Sequence, residues 1–188
     1  KRLGRSFLYP GVGFGGSCFP KDVKALIAIA KQRKYDFKLL SAVNQINLEA
    51  RERFVEKIVK TMNGVKGKTL AILGLSFKPN TDDMREAPSV YIIKKLMLLG
   101  AKIKAFDPIA MENAKTIISK LTFGRNVQDT AKDADALVIL TEWNEFKQLD
   151  LSEIKKLMKG SYLFDGRNIY DPVKVKSLGF IYKGIGRE

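Results

Sequence analysis

The sequence of 188 residues has no histidine and a single cysteine. Without histidine there is no imidazole base and no His-ligated metal site. Acid–base chemistry must then come from Lys, Asp, Glu, Tyr or Cys. One cysteine excludes an internal disulfide and is compatible with a reducing compartment. No apolar run approaches the roughly 18 residues of a membrane span, and no charged-then-apolar leader is visible. We therefore expect a cytoplasmic chain with no membrane partner and no metal. Acids are scarce as well: 20 Asp and Glu face 34 Lys and Arg, a formal charge of +14. The basic residues are spread along helical stretches rather than gathered in one tract, and no nucleic-acid signature accompanies them. A solvated, lysine-rich surface is the plainer reading, and we expect no nucleic-acid partner. Part of the excess charge can attract an anionic ligand such as a nucleotide diphosphate.

What the chain does have is a glycine loop that runs straight into its cysteine. The run is Gly11-Val12-Gly13-Phe14-Gly15-Gly16-Ser17-Cys18-Phe19-Pro20-Lys21-Asp22. Glycines let a backbone turn sharply and approach a ligand closely. Pro20 suits the first position of a helix and Asp22 its first turn. Val23, Leu26, Ile27 and Ala30 then recur at helical spacing. Cys18 should therefore stand at or just before a helix N-terminus with Lys21 close by, both of which favour a thiolate. Such a cysteine is a candidate nucleophile. A small buried hydrophobe is the plain alternative.

The pattern predicts a first helix over about 20–33 and a longer one over about 37–62, stopped by Asn63-Gly64. The length of the second suits a dimer seam. From Lys68 onward, short apolar runs alternate with helical stretches. Strands are expected at about 69–75, 102–106, 121–123, 136–140, 162–164 and 180–182. Helices are expected at about 88–99, after Pro108, and at about 129–132, 151–158 and 173–176. This alternation indicates an α/β fold: a helical dimerisation segment, then a doubly wound, Rossmann-like parallel sheet of about six strands.

In an open parallel sheet, ligands bind beyond the carboxyl ends of the strands. Three polar loops leave those ends: Ser76 to Glu86, Thr141-Glu142-Trp143, and Asp165-Gly166-Arg167-Asn168. Lys78, Arg85 and Arg167 should converge there, and converging cations suit a diphosphate. The loop after the first strand lacks G-x-G-x-x-G, so this sheet should not hold NAD in the usual way. Asp107 follows the second strand, where a dinucleotide fold keeps its ribose acid. Without the glycines it reads as a helix N-terminal or turn residue.

The cysteine run, with its lead-in Phe7-Leu8-Tyr9 and follow-on Lys21 to Leu26, resembles the catalytic-cysteine motif of the UDP-glucose/GDP-mannose dehydrogenase family. The resemblance continues through Phe77-Lys78 with Asp82 and Arg85, Asp107-Pro108, and Thr141-Glu142-Trp143. It extends to Asp165 through Pro172 and to the ending Gly184-Ile185-Gly186-Arg187. It implies Cys18 as nucleophile and Asp22 as its polar partner, ordering or activating water. Tyr9, Pro10, Gly11, Val12, Gly13, Phe14 and Gly15 would hold the sugar and phosphates. Phe77, Lys78 and Arg167 would hold the UDP-sugar, and Arg2 would reach the neighbouring subunit's substrate. Lys21 and Arg85 would touch the cofactor, NAD, which the family binds mainly through an N-terminal domain.

The resemblance further implies that this chain is the central and C-terminal portion of such an enzyme and inactive alone. Residues 1–66 would form the cysteine loop and helical dimerisation region, and 67–188 a Rossmann-like UDP-sugar-binding domain. A homodimer through helix 37–62 is expected. Phe19 and the Asp-Gly-Arg-Asn segment favour the branch that oxidises UDP-glucose to UDP-glucuronate over the GDP-mannose branch. A non-catalytic nucleotide-sugar-binding or dimerisation module is the reading from another class.

Overall fold

Pro20 is the second residue of the first helix, α1 (Phe19–Gln32), in the first turn where its missing N–H costs nothing, and Asp22 follows close behind. The computed structural model describes Gly4 and residues 8–187. α2 (Lys38–Thr61) follows. It ends as its sequence demands: Asn63 and Gly64 take φ of 50° and 87°. The Gly64 N–H donates back to the Val59 carbonyl at 2.9 Å. The two helices bury little of their apolar surface. α1 buries only Pro20. α2 buries Asn47, Arg51, Phe54, Val55 and Ile58, all from its tenth residue onward.

The rest of the chain alternates strand and helix. The order is β1 (Thr69–Leu73), α3 (Pro88–Leu98), β2 (Lys102–Phe106), α4 (Met111–Ile117), β3 (Thr122–Phe123) and α5 (Val127–Ala131). Then come β4 (Ala136–Ile139), α6 (Asn144–Lys147), α7 (Leu151–Leu157), β5 (Tyr162–Asp165), α8 (Pro172–Ser177) and β6 (Ile181–Gly184). The six strands form one parallel sheet in the order β3-β2-β1-β4-β5-β6. The order reverses between β1 and β4, which leaves a crevice at their carboxyl ends.

Strand periodicity splits the core in two. Leu70, Ile72, Val138 and Phe164 face one side, against Phe54 and Ile58 of α2 and Ile92, Ile93 and Leu96 of α3. Ala71, Leu73, Leu137, Ile139 and Leu163 face the other, against Val127, Phe146, Ile154 and Val175. A sheet covered on both faces needs near-continuous apolar strands, and β4 reads Ala-Leu-Val-Ile, buried throughout. Each large side chain buried this way contributes about 1.5–3 kcal/mol.

The α/β reading and the six strands hold. The differences lie at short elements, where a cap outweighs periodicity. α5 starts two residues before the expected position because the Asn126 side chain accepts the Asp129 N–H. α6 was not expected at all. It is one turn that drops Phe146 into the core, fully buried. β3 shortens to two residues at the sheet edge, where it pairs only with β2.

Candidate functional site

The glycine loop lies across the carboxyl edge of the sheet. At one end Gly11 meets Arg167: a β-carbon on Gly11 would stand 2.3 Å from a guanidinium nitrogen. In the middle, Val12 is buried in the same core cluster as Phe54. At the other end Gly15 and Gly16 press onto the loop after β1. A β-carbon at Gly15 would sit 2.5 Å from the Glu86 carbonyl oxygen, and one at Gly16 would sit 2.7 Å from the Phe77 ring. Gly16 also has φ of +84°, and its N–H donates to the Arg85 carbonyl at 2.8 Å. Only glycine satisfies both the close approach and the positive φ.

Two residues of α2 hold this loop, and neither was expected in the site. The Asn47 side chain accepts the Phe14 N–H at 2.7 Å and donates to the Phe14 carbonyl at 3.1 Å. Arg51, one turn on, donates from Nη2 to the Phe14 carbonyl at 2.8 Å and to the Glu86 carbonyl at 3.2 Å. Arg51 is 5 % exposed. Burial pulls its pKa down, against the smaller opposing influence of Glu86. One cation thus ties the cysteine loop, the long helix and the loop after β1. A signal for it exists in the sequence: Asn47 and Arg51 sit at i and i+4 on the stripe that continues as Phe54, Val55 and Ile58. Polar residues on a buried stripe need partners.

Cys18 takes the N-cap position of α1 and is exposed. Its sulfur lies 3.7 Å from Ser17 Oγ. A cavity of ≈ 590 Å³ beside it is lined by Gly16, Ser17, Cys18, Lys21, Lys24, Arg85 and Glu86. The size suits a small-molecule site. Three cations therefore face the thiol's cavity. Lys24 is paired with Glu86 at 2.8 Å and Lys21 with Asp22 at 3.1 Å. The Asp22 carboxylate, expected as the partner of Cys18, is thus engaged with Lys21. Arg85 grips Asp83 through Nε and Nη2 at 2.9 and 2.8 Å. That grip raises the Arg85 pKa, with a smaller push from Cys18, and lowers the Asp83 carboxyl.

Arg167 stands at the opposite end of the glycine loop. Its Nη2 donates to Glu142 Oε1 at 2.9 Å. Its Nε lies 2.7 Å from Oε2 as an ion contact, with the N–H off the line of a hydrogen bond. The loop carrying it is fixed from below by Asp165, which is fully buried. That carboxylate accepts the Arg167 N–H at 3.1 Å, the Tyr170 N–H at 3.0 Å and the Tyr182 hydroxyl at 3.1 Å. Burial holds the Asp165 carboxyl above its ordinary range, although these donors pull the other way. Lys78 is exposed, its Nζ 5.4 Å from the centre of the Phe77 ring.

The expected residues thus gather along one edge, with a correction to their grouping. The sequence suggested that Lys78, Arg85 and Arg167 converge near one edge of the sheet. Arg85 is held by Asp83 beside the Cys18 cavity, and Arg167 by Glu142 beside Gly11, at the other end of the glycine loop. Glu142 carried no expected role, because nothing in the sequence pairs a residue after β4 with one after β5. Tyr9 and Pro10 are exposed ahead of the loop, and Gly13 and Phe14 are half-buried within it. Arg2 lies outside the described residues. Among the described residues no cluster of His, Cys, Asp and Glu could hold a metal ion, and no helix is long and apolar enough to cross a membrane.

Residues 71–172 match the model of the UDP-glucose/GDP-mannose dehydrogenase family, UDP binding domain, and residues 1–49 match that family's central domain. The chain belongs to the UDP-glucose/GDP-mannose dehydrogenase family. A UDP-glucose 6-dehydrogenase of Bacillus subtilis is 46% identical over 187 residues, covering 99% of this chain and 41% of that relative. A UDP-glucose 6-dehydrogenase of Pseudomonas aeruginosa is 43% identical, covering 100% of this chain and 43% of that relative. The chain therefore spans about two fifths of the length of these dehydrogenase relatives. Among solved structures, a UDP-glucose dehydrogenase from Pyrobaculum islandicum superposes with a TM-score of 0.86 at 31% identity, over 100% of this chain and 41% of that one. A ternary complex of GDP-mannose dehydrogenase from Pseudomonas aeruginosa superposes at 0.78 and 26% identity, over 99% of this chain and 42% of that one.

Proposed function

We propose that this chain supplies the nucleophile and the nucleotide-sugar site of an NAD-dependent UDP-glucose 6-dehydrogenase, which converts UDP-glucose to UDP-glucuronate. The observation that carries the reading is the docking of the Cys18 loop across the sheet edge, with Arg167 under one end and Phe77 under the other. A diphosphate lying along that loop has cations at both ends, and the sugar reaches the sulfur. Lys78 and Arg167 bind the nucleotide moiety, and residues 9–15 line the sugar and phosphates. Residues 1–66 form the cysteine loop and dimerisation region, and 67–188 the nucleotide domain.

NAD, when bound, supplies the acceptor for each of two hydrides. Lys21 and Arg85, exposed in the Cys18 cavity, fit a cofactor carrying phosphates. Once C6 of the sugar is an aldehyde, Cys18 Sγ adds to it. The C–S bond forms and the oxygen gains a proton. Loss of a hydride from the same carbon, with the hydroxyl proton, leaves a thioester. Water, ordered by Asp22, then breaks the C–S bond; the thiol regains its proton and the carboxylate leaves. A thiol suits both halves, as nucleophile and as leaving group. Turnover needs the cofactor-binding part of the family's enzymes. The exposed apolar residues Leu26, Ile29, Leu39 and Ile46 of α1 and α2 support a homodimer through these helices.

Calorimetric titration with UDP, UDP-glucose and GDP-mannose tests the site. We expect the uridine ligands to bind and Lys78→Ala or Arg167→Ala to weaken them. Preference for GDP-mannose would move the chain to the other branch. In a protein that also carries the cofactor domain, Cys18→Ser should stall after the first oxidation; ordinary steady-state turnover would remove Cys18 from the mechanism.

A further inference from the structure

Asp107 follows β2 directly, where a dinucleotide-binding fold keeps the acid that grips a ribose. Here the side chain is fully buried and protein groups take both oxygens. Oδ1 accepts the N–H groups of Ile109 and Ala110 at 3.0 and 2.8 Å, shaping the turn into α4. This matches the turn role expected for it. Oδ2 does something the sequence did not announce. It accepts the Leu75 N–H at 2.7 Å, the Ser76 N–H at 3.2 Å and the indole Nε1–H of Trp143 at 3.1 Å. One carboxylate therefore joins the loops that leave β1, β2 and β4.

The loop after β1 carries Phe77 and Lys78, and it is held at Ser76 from several sides. Ser76 Oγ donates to the Lys78 carbonyl at 2.9 Å, and Thr141 Oγ1 donates to the Ser76 carbonyl at 2.6 Å. Gly74, with φ of +94°, lets the loops after β1 and β4 meet: a β-carbon there would stand 2.5 Å from the Thr141 nitrogen. Ser76, which Asp107 and Thr141 hold, thus ties the Lys78 carbonyl to the sheet. Bonds to a buried carboxylate are the strong kind. A donor left facing a donor is costly.

We infer that Asp107 is a positioning residue for nucleotide binding: turned inward, it locks the Lys78 loop and Trp143 into one unit at the switch point. The inference rests on the proposed nucleotide site. Asp107→Asn replaces one acceptor by an NH₂ group, which must face N–H donors on one side or the other. Trp143 is the only tryptophan, so its emission reports the lock without a label.

The test uses the 188-residue chain with Asp107→Asn, Lys78→Ala, Arg167→Ala and the two double variants that include Asp107→Asn. Hydrogen exchange is read at Leu75, Ser76 and the Trp143 indole, with Leu163 as the core reference. We expect Asp107→Asn to speed exchange about tenfold at the first three sites and leave Leu163 unchanged, with red-shifted Trp143 emission. UDP binding should weaken about tenfold. That loss should shrink below about twofold in the Lys78→Ala background and persist in the Arg167→Ala background. Unchanged exchange and emission, uniform loss of protection, or a loss additive with Lys78→Ala overturns the inference. If the parent chain binds no UDP, the functional proposal fails, and the exchange pattern alone still decides whether Asp107 locks the loop. Should Asp107→Asn fail to fold, Trp143→Phe removes one donor and keeps the ring. It should speed exchange at Leu75 and Ser76 about threefold; no change would overturn the lock.

Discussion

The helices at residues 19–61 and the sheet at residues 69–184 solve the burial problem differently. The sheet is covered on both faces, and the residues of its central strands β1, β4 and β5 have helices to pack against. The helical stretch leaves Leu26, Ile29, Leu39 and Ile46 between 46 and 70 % exposed. Its contact with the sheet region is concentrated from Asn47 of α2 onward. An α/β sheet can satisfy itself from one chain, because strands alternate and helices cross over both faces. A pair of helices has only stripes to offer, and a stripe without a layer beneath it stays exposed. The glycine loop lies between the two regions and depends on both, through Arg51 on one side and the loop after β1 on the other.

The largest effect should come from the sheet core. Ile72→Ala removes a fully buried side chain and should cost roughly 2–5 kcal/mol, read as a lower denaturant midpoint. Leu39→Ala and Ile46→Ala should leave the unfolding of the monomer within about 0.5 kcal/mol of the parent, yet shift sedimentation toward monomer. If instead they destabilise the monomer as Ile72→Ala does, the contrast between the regions collapses.

Arg51→Ala should cost about 1–3 kcal/mol, because the Glu86 carbonyl loses its side-chain donor and the Phe14 carbonyl keeps only Asn47. Its sharper signature is local: hydrogen exchange at Phe14 and Gly16 should rise while the amides of β4 stay protected. Equal loosening of loop and sheet would mean that Arg51 serves general stability and not the joint between the regions.

A subtler effect concerns pH. The Asp165 carboxyl is raised by burial, so the folded protein favours its neutral form more than the unfolded chain does. Its contribution to stability is complete below the unfolded pKa of about 3.9 and is lost as pH rises through the raised folded value. Asp165→Asn should flatten that part of the stability profile. Asp83, lowered chiefly by its bond to Arg85, has the opposite sign. Its contribution is present above the unfolded pKa and lost as pH falls through the folded one. Thermal melts from acid to neutral pH separate the two. A variant profile parallel to the parent's would remove Asp165 from the balance.

The smallest change expected is at Lys24. Its pair with Glu86 is about half exposed on both sides, and such pairs are worth about 0–1 kcal/mol. Lys24→Ala should barely move the melting temperature.

Much of this is legible in the sequence. The turn at Asn63-Gly64, the helix that starts beside Cys18, and the strand–helix alternation each follow from local rules. Legibility failed where partners are far apart in the chain. Glu142 and Arg167 are 25 residues apart, and Trp143 and Asp107 are 36 apart. No periodicity joins them. α6 was missed because one turn is too short to show a period.

The sequence alone determined the longer helices and the strands, the two-faced sheet and the edge on which polar loops gather. These follow from the chain's periodicity, its glycines and its caps, which act over a few residues. Tertiary structure alone decided the distant pairings: Glu142 with Arg167, Arg51 with two carbonyls, and Asp107 with the loops after β1 and β4. A buried polar group takes whichever partner the fold brings within 3 Å or so. That neighbour is set by how the strands are ordered and not by how the residues are spaced.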